Sequence, residues 1–279
     1  MRSWVRVAAA TVAISLTAVG TSPGAVSAAP APVVIAVLGD FGSGAPAERQ
    51  VARIVAAARP TDIVTTGDNV YSAAGYAALV GAYYPTWVAA RRVFPATGNH
   101  DYAEGITAFD SYFSWLHGQR TYTRAMGQVA FFVLDSQAAL DSPAERERQR
   151  AWLQRSLAAS PARWRVVVLH HPPYSSGTVH GSTAALQWPY RAWGADLVLS
   201  GHEHNYERLD KGGVTYVVDG SGGQDLYRLG SPLGGSLARD DTDYGVLLLR
   251  PGDHALGAQF LTAAGRVVDR FSIPGRTRG

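Results

Sequence analysis

Five short stretches of this 279-residue chain carry side chains that can bind metal. They are Asp40 in Gly39-Asp40-Phe41-Gly42, Asp68 and Tyr71 in Gly67-Asp68-Asn69-Val70-Tyr71, Asn99 in Gly98-Asn99-His100-Asp101, His170 in His170-His171-Pro172, and His202 with His204 in Gly201-His202-Glu203-His204. Taken singly, each has an ordinary explanation. A Gly-Asp after a strand is usually a turn, and a His pair can be half core and half surface. His202 and His204 are more specific, because alternate residues of an extended segment point the same way. All five stretches follow an apolar run and have Gly or Pro close by, and together they point to one site. Two Asp, one Asn, one Tyr and three His can hold two metal ions a few ångström apart. Asp68 suits a bridging role, since each oxygen of a carboxylate can serve one ion. The chain has no cysteine, so thiolates drop out of the donor set and harder metals are favoured.

The apolar runs must position these groups. Val33 to Leu38 is apolar on both faces and reads as a fully covered strand. Val51, Ile54, Val55 and Ala58 then recur at helical spacing until Pro60, and Ile63 to Thr66 reads as the next strand. A strand, helix, strand order implies parallel pairing with a crossover, which puts loops 39–44 and 67–71 at one edge. Val93 to Thr97, Val166 to Leu169 and Leu197 to Leu199 read as further strands delivering Asn99, His170 and the His202–His204 pair. Residues 72–91 read as an aromatic-rich helical segment, and Phe109, Tyr112, Phe113 and Leu116 suit an amphipathic helix. Val129 to Leu134 is a strand. The helix after it is signalled by Ser142 as N-cap, Pro143 at its first position and Glu145 as capping-box partner, with Ser160-Pro161 closing it. A shorter helix is expected near 183–193, and runs at 214–218, 246–250, 257–262 and 266–272 read as antiparallel strands. Strand ends on one edge of a sheet converge, so the metal-binding side chains can share one crevice.

The first residues stand apart. Arg2 and Arg6 precede an apolar run from Val7 to Val19, and Val26-Ser27-Ala28 supplies small residues. This pattern predicts a secretory signal peptide over 1–28, with one catalytic domain over 29–279. The apolar run falls short of the ~20 residues a spanning helix needs. Formal net charge is +3, and removing Arg2 and Arg6 leaves it near +1, a balance that gives no reason to expect nucleic acid as a partner. Without disulfides an exported chain relies on its core, which 47% hydrophobic content can supply.

The five stretches resemble the metallophosphoesterases of the purple acid phosphatase family, within the calcineurin-like superfamily. That family's pattern runs Asp-x-Gly, Gly-Asp-x-x-Tyr, Gly-Asn-His-Asp/Glu, Val-x-x-His and Gly-His-x-His, matched here by Asp40 to Gly42, Gly67 to Tyr71, Gly98 to Asp101, Val167 to His170 and Gly201 to His204. Asn205-Tyr206-Glu207-Arg208 extends the likeness, which covers residues 33 to about 250 and leaves no room for the additional N-terminal β-domain of larger members. The resemblance implies a four-layer α/β/β/α sandwich. It implies one metal held by Asp40, Asp68, Tyr71 and His204, and another held by Asp68, Asn99, His170 and His202. A phenolate ligand calls for a strongly acidic ion, because a free phenol ionises near ~10. Ferric iron fits, paired with divalent Fe, Zn or Mn. Phosphodiesterases of the same fold generally lack this tyrosine.

The implied activity is hydrolysis of a small phosphomonoester, with a metal-activated water attacking in line. His100 is expected to contact the phosphate or the leaving group, with Asp101 holding its imidazole, and His180 to help bind substrate or protonate the leaving alcohol. His171 reads as a supporting residue. A phosphodiesterase or nucleotidase of the same fold would carry the same ligands. A catalytically silent metal- or phosphate-binding surface protein should have lost at least one.

Overall fold

Alternation along the strands sends each apolar run into two different layers. The structure is a computed structural model describing residues 33–275, so the signal sequence expected over 1–28 lies outside the described residues. These residues belong to one compact unit, Pro32–Gly279. Its strands are β1 (Ile35–Leu38), β2 (Asp62–Thr65), β3 (Val93–Pro95), β4 (Tyr122–Met126), β5 (Val129–Val133), β6 (Trp164–Val168), β7 (Leu197–Ser200), β8 (Tyr206–Lys211), β9 (Val214–Asp219), β10 (Ser236–Asp240), β11 (Gly245–Pro251), β12 (Ala255–Thr262) and β13 (Val267–Pro274). They form a six-stranded sheet, β13-β12-β11-β1-β2-β3, and a seven-stranded sheet, β10-β8-β9-β7-β6-β5-β4.

Ile35 and Val37 of β1 share the central core with Phe131, Val133, Val166 and Val168 of the other sheet. Ala36 and Leu38, one residue out of phase, pack instead with Val51 and Val55 of the helix Pro46–Ala58. On the far side, Phe132 and Val167 meet Leu153 and Leu157 of the helix Pro143–Ala159. The result is the expected four-layer α/β/β/α arrangement. Each fully buried Val or Leu contributes about 1.5–3 kcal/mol.

Both sheets are mixed, and their parallel portions carry the site. β1, β2 and β3 are parallel, with Val37 opposite Val64 and Val64 opposite Phe94. In the other sheet β5, β6, β7 and β9 are parallel. The 214–218 run is therefore antiparallel only to β8; to β7 it is parallel. The helix expected near 183–193 reduces to a single turn at Ala184–Leu186 and another at Tyr190–Trp193, because Pro189 holds φ −78 and ψ 58 between them. Residues 72–91 likewise split into Ala77–Gly81 and Pro85–Ala89, Pro85 starting the second piece. The Ser142 cap is present, accepting from the Glu145 N–H at 3.3 Å. The Glu145 carboxylate, however, pairs with Arg148.

Glu48, in the first turn of the helix Pro46–Ala58, is fully buried and accepts the Gly44 N–H at 2.7 Å. Burial pushes its carboxyl from 4.5 up to about 8. The folded chain thus holds a proton that the unfolded chain releases, and stability from this group is lost as pH rises from 4.5 towards 8. Glu48→Gln is expected to raise unfolding free energy by about 1–3 kcal/mol near pH 8 and to change it little near pH 4.5. Denaturant titrations of both proteins across this range check the prediction, and a difference independent of pH would refute it.

Candidate metal centre

The site forms where the C-terminal ends of β1, β2, β3, β6 and β7 meet. Three of its side chains leave the backbone from the left-handed region: Asp40 at φ 56, Asp68 at φ 50 and His202 at φ 70. Such conformations cost of order 1–3 kcal/mol each in a non-glycine residue and persist where the surroundings hold them. Here neighbouring amides do so. Asp40 accepts the His202 N–H at 3.0 and 3.2 Å, and Asp68 accepts the His100 N–H at 2.8 Å.

Two knots of polar atoms result. In the first, Tyr71 Oη lies 3.1 Å from Asp40 Oδ1, 3.2 Å from Asp68 Oδ2 and 3.1 Å from His204 Nε2. In the second, His170 Nε2 lies 3.0 Å from Asn99 Oδ1, 3.1 Å from His202 Nδ1 and 3.2 Å from Asp68 Oδ2. Asp68 Oδ2 belongs to both. Ligand atoms of Asp68, His170 and His202 all lie within 4.8 Å of one another. The first knot brings together Asp40, Asp68, Tyr71 and His204, and the second Asp68, Asn99, His170 and His202.

Outer hydrogen bonds fix the imidazoles. His170 Nδ1 faces the Thr66 carbonyl at 2.9 Å and His204 Nδ1 the Asp225 carbonyl at 2.8 Å. A protonated Nδ1 at each leaves the Nε2 lone pair facing the knot, as a metal requires. One phenolic proton cannot satisfy three acceptors, nor one imidazole nitrogen its three neighbours. This crowding of lone pairs is what a cation at each knot would relieve, so the residues fit the metals their types imply.

Electrostatics agree. Burial would push Asp68 up and His170 down, but each holds the other charged: Asp68 sits below its ordinary range and His170 above its own. Burial and the charges of Asp40 and Asp68 push the Tyr71 phenol well above its usual value, so a phenolate here would call for a cation beside it. Burial and the other histidines drive His202 down, leaving it neutral and able to ligate. A cation bound at this knot would compete with the protonation of His170 that the Asp68 charge favours.

His100, half-buried, places its ring 4.2 Å from that of Tyr71. His180 is exposed and stacks on His202 at 3.9 Å and 25°. Asp101 does not hold the His100 imidazole. Its carboxylate accepts from the Gly98 N–H at 2.8 Å, Asn69 Nδ2 at 2.9 Å and Tyr76 Oη at 2.9 Å, inside the protein. Successive residues of the helix Asn99–Ala103 project about 100° apart, so Asp101 turns inward where His100 turns out. Burial and the Asp68 charge push Asp101 up to about 7. His171 supports the site through Ser136, whose Oγ lies 2.9 Å from its Nδ1 and also accepts the His170 N–H. Sequence reasoning missed Tyr227, which stacks on His204 at 3.9 Å and 12°, and Glu203, buried between two ligands. Both act through contacts that no local pattern announces.

Residues 33–206 match the calcineurin-like phosphoesterase family, and the chain belongs to it. Purple acid phosphatase 15 of Arabidopsis thaliana is 36% identical over 118 residues, covering 37% of this chain and 22% of that protein. Among solved structures, the purple acid phosphatase PPD1 of yellow lupin is 18% identical with a TM-score of 0.66, over 87% of this chain and 53% of the lupin chain. GAP50, the anchor in the inner membrane complex of Plasmodium, is 20% identical with a TM-score of 0.73, over 88% and 90%. A dimetal phosphatase of Danio rerio is 13% identical with a TM-score of 0.57, over 88% and 100%. At these identities the structural likeness is one of fold. The coarse chemistry of the family is metal-dependent hydrolysis of phosphate esters.

Proposed function

We propose that this protein is a secreted, purple acid phosphatase-like hydrolase of small phosphomonoesters, working with Fe(III) and a divalent ion. The observation that carries this reading is Tyr71, whose hydroxyl lies within 3.2 Å of Asp40, Asp68 and His204. Asp40, Asp68, Tyr71 and His204 would hold the ferric ion, and Asp68, Asn99, His170 and His202 the divalent one. When bound, such a pair neutralises phosphate charge and makes water acidic enough to supply a nucleophile near neutral pH. The protein's own groups do the rest. Asp68, anchored by the His100 N–H, keeps the two knots together. His100, on the Tyr71 ring, offers its imidazole to a phosphate oxygen. His180, exposed above His202, is placed to give a proton to the departing alcohol.

A comparison of rates on an aryl phosphomonoester and the matching bis-aryl diester tests the reading. A preference of about tenfold or more for the monoester is expected, since histidine donors favour a dianionic group. Preference for the diester would assign the protein to phosphodiesterases, and absence of turnover by the metal-loaded protein would favour a silent binding role. Secretion has its own check: N-terminal sequencing of exported protein should begin at Ala29.

A further inference from the structure

His180 sits on an exposed loop, where a side chain would ordinarily sample many positions. Its backbone is nevertheless tied down from beneath. The N–H groups of His180 and Gly181 both donate to Glu203 Oε1, each at 2.5 Å. Gly181 has φ +67, which lets two successive amides converge on one oxygen in a small anion-binding concavity. Glu203 is wholly buried, and the loop lies so close over it that a Cβ on Gly177 would come within 2.1 Å of its carboxyl carbon. The foot of the loop is held in the same way. Glu207 accepts the Ser176 N–H at 2.6 Å and the Ser176 hydroxyl at 2.5 Å. The same end of the loop is pinned by the Gly177–Leu229 bridge. Two turns of geometry thus meet in Glu203. Its backbone lies between the ligands His202 and His204, and its carboxylate grips the loop whose imidazole stacks on His202.

We propose that Glu203 is the positioning residue of His180, and that this latch determines how well the enzyme cleaves alkyl phosphates, whose alcohols leave poorly without a proton. The inference rests on the phosphomonoesterase reading. As water forms a new P–O bond, the ester P–O bond breaks. The leaving oxygen keeps that bond's electron pair and takes a proton from His180. The proton shed by the attacking water passes to solvent, from which His180 is reprotonated. An aryl phosphate, with a stable phenolate as leaving group, needs the latch far less.

The experiment compares kcat/KM of the metal-loaded protein on an alkyl phosphate and on p-nitrophenyl phosphate, with metal content measured in parallel. His180→Ala is expected to lower the alkyl rate about 100-fold and the aryl rate less than about tenfold. Glu203→Ala should reproduce that loss of alkyl selectivity at unchanged metal content. Combining the two should lower the alkyl rate no further than His180→Ala alone, because both remove one function. Glu203→Gln keeps an acceptor oxygen for the two amides and should restore the alkyl-to-aryl ratio. Gly177→Ala, whose Cβ would lie 2.1 Å from the Glu203 carboxyl carbon, forces the loop and the carboxylate apart while leaving Glu203 in the chain, and should repeat the selectivity loss even if Glu203→Ala does not fold. A wild-type ratio in Glu203→Ala or Gly177→Ala, or multiplicative losses in the double variant, would overturn the inference while leaving the phosphatase reading in place. A wild-type protein inert towards both monoesters would overturn both.

Discussion

Asp68→Asn is expected to remove bound metal and turnover together. The asparagine keeps an oxygen for the His100 N–H at 2.8 Å, so the turn after β2 should survive. What it loses is Oδ2, the atom common to both knots, 3.2 Å from Tyr71 Oη and 3.2 Å from His170 Nε2. An amide there presents N–H groups to atoms that must themselves offer lone pairs, and it carries no charge to offset two cations. Elemental analysis should find less than one metal per chain, and kcat/KM should fall by more than roughly 1000-fold. With metal removed from both proteins, the His170 imidazole should also titrate lower in the variant than in wild type, because burial remains while the facing Asp68 carboxylate is gone. NMR titration reads this directly. Unchanged activity would sink the shared-ligand centre.

Gly98→Ala is expected to be nearly as damaging without touching a ligand. Gly98 has φ −119 and ψ −178, an extended conformation any residue adopts, so the effect is one of space alone. A Cβ there would lie 2.1 Å from Asp68 Oδ1 and 2.5 Å from Asp68 N. Asp68 cannot swing away, being buried and bonded to the His100 amide. Either the carboxylate leaves the centre or the Gly98 turn moves, and the turn is held by Asp101 Oδ2 at 2.8 Å. A loss of about 3 kcal/mol or more in unfolding free energy is expected, with metal content falling in step. Gly234→Ala, where a Cβ meets nothing within 4 Å, is the control and should stay within about 0.5 kcal/mol. Denaturant unfolding with metal analysis separates the two. Wild-type values for Gly98→Ala would show that close approach does not hold Asp68 in place.

Much of this arrangement is legible in the sequence. β1, β2, β3, β6 and β7 each read as a short apolar run, and each ends two to four residues before the first side chain of the site that follows it. β-branched runs and helix stops are local signals. The misreadings have physical causes of their own. β9 is apolar whichever way it pairs, so its parallel contact with β7 left no mark in the sequence. Asp101 is adjacent to His100 in the chain, yet one helical step turns its carboxylate towards Asn69 and Tyr76. Tyr227 carries no local signal of its own, and only the fold brings its ring onto His204.

The sequence alone determined the donor types, their order along the chain and their places after strands, because residue chemistry and periodicity are properties of neighbours. The tertiary structure decided which atoms meet. The His202 amide reaches Asp40 across 162 residues, His170 reaches the Thr66 carbonyl across 104, and Tyr71 reaches His204 across 133. Contacts of that range arise only when the edges of two packed sheets close on one another. Sheet packing, rather than local pattern, therefore set the division of ligands into two knots and the latch of Glu203 beneath His180.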